Sequence, residues 1–370
     1  MQEQSYFNNK AVSQSSIKAW KYLSPKKWKA KFIDKIEDDD DENSSFDLGN
    51  LLDTMLFTPH LLKERFYISK LDKLPSDTER KITECIYTEI CRINRERSEI
   101  NKQSPEEIPY LSMTFEDNKE IVLSCVKNEK WNERWGDDAK YNTIYKNGND
   151  YFKLLVESKN RKIISRNLLD QANELILILK NHDRTKNYFT PSEGIELLFQ
   201  LELFTSIFLV LEDNTEFNLP LKGALDILVI NHNEKSIQIV DFKKAGNAHQ
   251  FLENVRKYGY CDQLSFYYFL LKETFLKENK KYENYEIKLP INICIDIQDK
   301  VPYIYEYNKT DLFISKYGNQ SFLNNDPFVK VRKGWLSSLQ KIAWHYKNDF
   351  FEEPYELHKY NKIKLDLIHD

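Results

Sequence analysis

Asp226, Asp241 and Lys243 are the residues whose types and spacing could do chemistry. They fall in residues 223–245, GALDILVINHNEKSIQIVDFKKA. Two runs rich in Ile, Val and Leu, 224–230 and 236–242, flank a polar turn at 231–235, and the pattern predicts a β-hairpin. Side chains alternate along a strand, so Asp241 and Lys243 share one face while Val240 and Phe242 take the other. Asp226 breaks the first apolar run, and a carboxylate buried there must be paired, hydrogen-bonded or bound to a metal. Two carboxylates brought close repel each other, and a divalent cation relieves that repulsion. Oxygen donors of this kind suit Mg2+ or Mn2+. Such an ion polarises a phosphoryl oxygen and acidifies water, while Lys243 would orient that water or stabilise developing negative charge. The spacing therefore admits metal-dependent hydrolysis of a phosphodiester. The plainer alternative puts Asp226 at a strand end and pairs Asp241 with Lys243 or Lys244 on a solvated edge.

The elements that must hold these groups can be traced along the chain. Residues 254–273 predict one helix after the hairpin, extending toward 277. On it Gln263 and Tyr267 are four apart and share a face, from which they could hydrogen-bond a metal site or a phosphate. The neighbouring aromatics serve the core. Residues 13–28, SQSSIKAWKYLSPKKW, predict a helix capped by Ser15 or Ser16 and running to about Tyr22, with Pro25 stopping it or starting the next. Residues 46–57, FDLGNLLDTMLF, form an apolar helix carrying Gly49 and Asp53. A strand spans 199–211, and Glu202 stands in its apolar run, needing a partner. Residues 76–97 and 168–181 are the clearest helices of a helical insert at 77–186. A mixed sheet occupies 191–300. The segment 287–297 reads as a strand, with Pro290 marking an edge or a bulge. Residues 303–307 would pair with it, and 326–350 would close the chain as an amphipathic helix. The expected class is α/β: a central mixed β-sheet flanked by helices with a helical insert, residues 1–370 forming one elaborated domain.

The series Asp226, then Asp241-Phe242-Lys243, then Gln263-Leu264-Ser265-Phe266-Tyr267 resembles the PD-(D/E)XK nuclease superfamily, and within it the RecB-like and RecE-like, phage-type exonuclease branch. That branch shows Gly-x-x-Asp, Asp-x-Lys and Gln-x-x-x-Tyr in this order, and implies a restriction-endonuclease-like core. By the resemblance Asp226 and Asp241 would be metal ligands, the Phe242 carbonyl a further ligand, Lys243 the catalytic lysine, and Gln263 and Tyr267 the supporting pair. The Ser-rich helix start at 13–28, with its aromatics and Pro, is similar to the opening of such nucleases. The branch also carries Gly-x-x-x-His on an early helix. Here Gly49 is followed by Asp53 at the His position, a departure that leaves Asp53 as either a direct ligand for a hard cation or a solvent-facing residue. Relatives of the phage type place a Glu on the strand before Gly-x-x-Asp. Glu202 matches best, with Glu196 and Glu212 as weaker candidates, and a salt bridge elsewhere is the alternative. Residues 142–189 resemble the helical insert of phage-type members.

Composition fits a large globular enzyme: 370 residues, 41% of them hydrophobic. No apolar run approaches the length needed to span a bilayer, and residues 1–10 lack the apolar region of a secretory signal, so a cytoplasmic location in a bacterial host is expected. The acidic run 37–43, EDDDDEN, reads as an exposed loop. A net charge of −4 does not advertise nucleic-acid binding, yet a local basic groove suffices for an enzyme. Lys26 and Lys27 beside Trp28, and Lys244 beside the catalytic lysine, are candidate phosphate contacts; each also fits a solvated face. The five cysteines form no Cys-x-x-Cys. Some relatives hold an iron–sulfur cluster with one early cysteine and a late group of three, but only Cys294 follows the Gln-Tyr helix, so no cluster is expected. The histidines lack zinc-site spacing, and no P-loop motif is present.

The expected activity is a Mg2+- or Mn2+-dependent deoxyribonuclease, an exonuclease acting on linear DNA ends in phage or bacterial recombination, replication or repair. DNA is the expected partner, with a homo-oligomer and a recombination or single-strand-binding protein as further ones. An endonuclease or single-strand nuclease of the same superfamily, or an inactive DNA-binding or scaffold protein, are the alternatives. Metal binding at Asp226 and Asp241 separates the last from the others.

Overall fold

The structure is a computed structural model, describing residues 6–36, 44–71, 74–103, 107–211, 213–320 and 332–360. The acidic run 37–43, Glu212 and the first part of the expected 326–350 helix lie outside the described residues. Helix α1 (Gln14–Trp20) is capped by Ser13, not by Ser15 or Ser16 as expected. Ser13 and Ser16 exchange side chain-to-backbone hydrogen bonds in a capping box, so Ser16 serves as its third residue. Pro25 starts α2 (Pro25–Phe32) at a position where the missing N–H costs nothing. Trp28 is fully buried, and its indole N–H donates to the Ser16 carbonyl at 2.7 Å, tying α2 back to α1. Helix α3 (Ser44–Phe57) follows.

Two compact units divide the chain. Residues 50–174 form a helical one. Its short strands β1 (Phe66–Ile68) and β2 (Lys162–Ile164) pair in parallel. Among its helices are α4 (Asp77–Asn101), α5 (Lys119–Asn128) and α6 (Asp137–Ser158). Ser76 and Glu79 form the capping box of α4. Ile82, Ile86 and Ile90 recur every four residues and bury one stripe against Val122, Val126 and Ile144. Helix α7 (Arg166–Asn181) comes next in the chain.

Residues 1–49 and 175–370 form the other unit, built on a mixed sheet. Long strands β3 (Ile195–Val210) and β4 (Glu216–Asn231) make an antiparallel hairpin, and β4 pairs antiparallel with β5 (Ser236–Ala245), as the alternation predicts. The expected single helix 254–273 is two, α8 (Phe251–Tyr258) and α9 (Tyr260–Glu273). Gly259 between them has φ of 68°, a left-handed cap that ends one helix and turns the chain into the next. The expected strand 287–297 is also divided, into β6 (Glu286–Ile287) and β7 (Ile291–Asp296). Pro290 lies in the gap, where it need not donate to a ladder, and β7 is an interior strand, parallel to β5 and antiparallel to β8 (Pro302–Glu306). The order is β3-β4-β5-β7-β8, with β6 beside β5. Helix α10 (Lys309–Tyr317) precedes α11 (Trp335–Asn348), the described part of the expected C-terminal helix, which does not take in residues 332–334, and α12 (Tyr355–Tyr360) follows. Leu225, Leu228, Ile237 and Ile239 pack with Leu264 and Leu270 of α9 and Trp335 and Leu339 of α11 in one core. The class expected from the sequence, a mixed central sheet flanked by helices, is the one observed. Among the described residues no helix is long and apolar enough to cross a membrane.

Candidate active site

The site lies where β4 and β5 part. Their pairing runs from Asn231↔Ser236 to Ile227↔Val240 and goes no further. From Val240 onward β5 pairs with β7. Asp226, the next residue of β4, fills the gap: its Oδ2 accepts the Phe242 N–H at 2.9 Å, in place of a ladder carbonyl. On its other side the β3–β4 ladder is also interrupted, between Phe199↔Ile227 and Leu201↔Leu225. Gln200 there has φ of 49°, in the left-handed region. Leu225 and Leu228 both face the same core although their parity differs, so the strand changes phase across this break. Backbone irregularity of this kind re-aims a side chain, and here it falls on Asp226.

Asp241 is fully buried and Lys243 is largely so, with its side chain 19% exposed. Two positions apart on one strand, they meet on one face, Lys243 Nζ lying 2.6 Å from Asp241 Oδ2. This is the pairing that the plainer reading foresaw, but in a buried position rather than on a solvated edge. Burial opposes the Lys243 charge; Asp241 and Asp226 outweigh it and hold the ammonium pKa above its ordinary value. Lys243 is therefore a fixed cation at neutral pH. It also sits over the Tyr260 ring, 5.1 Å from its centroid. Gln263 and Tyr267 stand on one face of α9, where Gln263 Nε2 donates to the Tyr267 hydroxyl at 3.2 Å. Burial, then the charges of Asp226 and Asp241, raise the Tyr267 pKa, so its phenol stays protonated beside them. Gly223 lets α9 come this close: a Cβ there would lie 2.5 Å from Leu270 Cδ1 and 3.2 Å from the Tyr267 ring.

Asp241 Oδ1 is buried and has no hydrogen-bond partner among the described residues. A buried carboxylate oxygen left without a donor is costly, and a hard cation satisfies it. Asp226 and Asp241 thus offer oxygen donors of the kind that suits a small divalent ion, which would complete its shell with water and substrate. Among the described residues no three His, Cys, Asp or Glu side chains gather into a ready cage. Glu202 is half-buried on β3. Burial, with Glu202 adding to it, pushes the Tyr6 phenol up to about 12. Burial and Lys35 bring Lys222 down to about 8 against the opposing pull of Glu202. Glu196 meets His232 and Tyr282, each at 3.3 Å. Asp53 is exposed on α3. The stem of Lys244 passes Gly49, where a Cβ would lie 3.0 Å from its Cε. Lys26 pairs with Glu352 at 2.9 Å on the surface, and Lys27 is exposed.

Sequence reasoning missed Asn292 and Tyr307. Asn292, fully buried on β7, lies opposite Asp241 in the parallel register and donates to Asp241 Oδ2 at 2.6 Å. Tyr307 donates its hydroxyl to Asn292 Oδ1. Asp241 Oδ2 is thereby engaged by Lys243 and Asn292 together, which turns Oδ1 into the free ligand. The signal was present in INICID, where a lone Asn interrupts an apolar strand.

Residues 142–299 match the family model of the PD-(D/E)XK nuclease superfamily. The match takes in Asp226, Asp241, Lys243, Gln263, Tyr267 and Asn292. It points to a nuclease, one that works with a divalent metal and acts on DNA. No curated protein matches the chain at a significant level.

Proposed function

We propose that this protein is a divalent-metal-dependent deoxyribonuclease of the RecB-like and RecE-like kind, an exonuclease removing nucleotides from linear DNA ends. The observation that carries the reading is the buried, unpartnered Asp241 Oδ1 beside Asp226 and the fixed cation of Lys243. Asp226, Asp241 and the Phe242 carbonyl would hold Mg2+ or Mn2+. When bound, the ion supplies Lewis-acid polarisation of the scissile phosphate and acidifies water. Lys243, charged and held by Asp241, stabilises the negative charge that grows on the phosphate in the transition state. The Gln263–Tyr267 pair buttresses the carboxylates and offers hydrogen bonds to a phosphate oxygen. Asp53 and Glu202 are proposed as further metal ligands on loading, and Lys244, Lys26 and Lys27 as phosphate contacts. The setting would be phage or bacterial recombination, replication or repair, with a homo-oligomer and a single-strand-binding or recombination protein as partners.

The test is digestion of end-labelled linear and closed circular DNA with Mg2+ or Mn2+, using Asp241→Ala as control. Loss of linear DNA alone, abolished in the variant, is the expected result. Cutting of circles would replace the exonuclease with an endonuclease. No metal-dependent cleavage of duplex or single strands would overturn catalysis.

A further inference from the structure

A cleft of about 310 Å3 lies between α1 and the corner where α8 turns into α9. Lys18, Lys21, Arg256, Lys257 and Arg332 line it, with Asp262 the one carboxylate among the described lining residues. Asp262 is engaged by Lys21 at 3.4 Å and by Arg332. Lys18, Arg256 and Lys257 have no carboxylate within ion-pair distance among the described residues. Three uncompensated cations in a protein of net charge −4 are a local reversal of sign, and such a patch is the footprint of an anionic partner.

The aromatic groups narrow the partner. Tyr22 is 75% exposed and Tyr258 39%, both lining this cleft. Lys18 and Lys257 stand 5.5 and 5.3 Å from the Tyr258 centroid. Tyr258 in turn contacts Tyr260, centroids 5.7 Å apart, and Tyr260 carries Lys243 over its ring. Cations interleaved with exposed rings suit a chain of alternating phosphates and unpaired bases. A duplex, whose bases are stacked on each other, offers nothing to those rings. Tyr258, Tyr260 and Lys243 thus form a chain of contacts that links the lining of the cleft to Asp241.

We propose that this cleft binds one unpaired nucleic-acid strand, phosphates on Lys18, Arg256 and Lys257 and a base on Tyr258, and leads that strand to the Asp226–Asp241 centre. The inference rests on the nuclease reading for its purpose, but strand binding can be measured without catalysis. Metal-free protein in EDTA would be titrated into a fluorescent single-stranded oligonucleotide and a blunt duplex of equal length. Wild-type protein should prefer the single strand. Lys18→Glu with Lys257→Glu should weaken single-strand binding at least about tenfold and reduce the salt slope by about 1.4, two phosphate contacts' worth. Tyr258→Ala should weaken it by about tenfold through lost stacking while leaving the salt slope unchanged. Lys127→Glu with Lys153→Glu, the same charge change on exposed helix faces, should do neither. Unaltered single-strand affinity in the Lys18/Lys257 variant, with its fold confirmed by circular dichroism, would overturn the proposal, as would an equal loss in the control pair. Strand binding that depends on this cleft in a protein that cleaves nothing with Mn2+ would refute the nuclease reading and leave the cleft standing.

Discussion

Asn292 Nδ2 lies 2.6 Å from Asp241 Oδ2, the oxygen that also receives Lys243. Neither partner reaches Oδ1, so the pair sets which oxygen of Asp241 is left for a metal. Asn292→Ala removes one donor and lets the carboxylate turn. Outer-shell partners of metal ligands are worth about 10–100-fold in affinity, and Mn2+ titration by calorimetry should show a loss of that order. The lost buried hydrogen bond should also lower stability by about 1–3 kcal/mol. Unchanged Mn2+ affinity would show that Asn292 serves packing alone.

Asp241 and Lys243 form a buried pair, and the two single variants should behave differently from the double. Asp241→Asn leaves the Lys243 cation with Asp226 alone, and Lys243→Met leaves Asp241 buried beside a second carboxylate. Breaking a fully buried pair costs about 3–5 kcal/mol; with Lys243 19% exposed, each single loss should be smaller. The double variant removes both charges and should recover most of the stability. Cleavage should be absent in all three. Urea denaturation beside a nuclease assay separates the two effects.

How much of this was legible in the sequence depended on the range of the interaction. Asp226, Asp241 and Lys243 could be read from strand alternation, and Gln263 with Tyr267 from helical spacing, because each relation is local. Asn292 meets Asp241 across a parallel pairing of β5 and β7, and no local periodicity specifies which residues of two distant strands stand side by side. Gln200 could not be read either: its positive φ answers to the phase change of the sheet, not to its own preference. Gly259 falls inside the helical pattern of 254–273, and only its left-handed backbone, which ends α8, divides that pattern. Ser13 caps α1 through a box that Ser16 closes in place of the more familiar Glu or Gln, so the usual capping pattern does not single it out.

Gly223 should resist substitution for a reason that involves the site. A Cβ there meets the mobile end of Leu270, which can turn away, and the edge of the Tyr267 ring, which cannot move without disturbing its bond to Gln263. Gly223→Ala should therefore be tolerated with a small loss, while Gly223→Val should cost about 1–3 kcal/mol through overpacking. In Gly223→Val the turnover should fall more than the substrate affinity, since Tyr267 is displaced from the carboxylates but the rest of the surface is kept. Steady-state kinetics on linear DNA would measure this; a pure rise in KM would place Tyr267 in binding only.

His345 supplies a pH dependence away from the site. It is 1% exposed, against Trp20, Trp344 and Phe351, and its Nδ1–H donates to the Phe350 carbonyl. Burial lowers its pKa, more than the Phe350 carbonyl and Glu356 raise it, with Lys341 and His358 adding to the lowering. A depressed histidine leaves the folded state neutral while the unfolded chain protonates near 6.5. Between those two pKa values the unfolded state binds the extra proton, so stability rises with pH there. The contribution is thus complete above about 6.5 and is lost as pH falls toward 5, at most about 1.4 kcal/mol per unit. His345→Asn keeps a donor for the Phe350 carbonyl but cannot titrate. Its melting temperature should fall less steeply than that of the wild type from pH 6.5 to 5. Parallel slopes would mean that the imidazole becomes charged in the folded state as readily as in the unfolded chain.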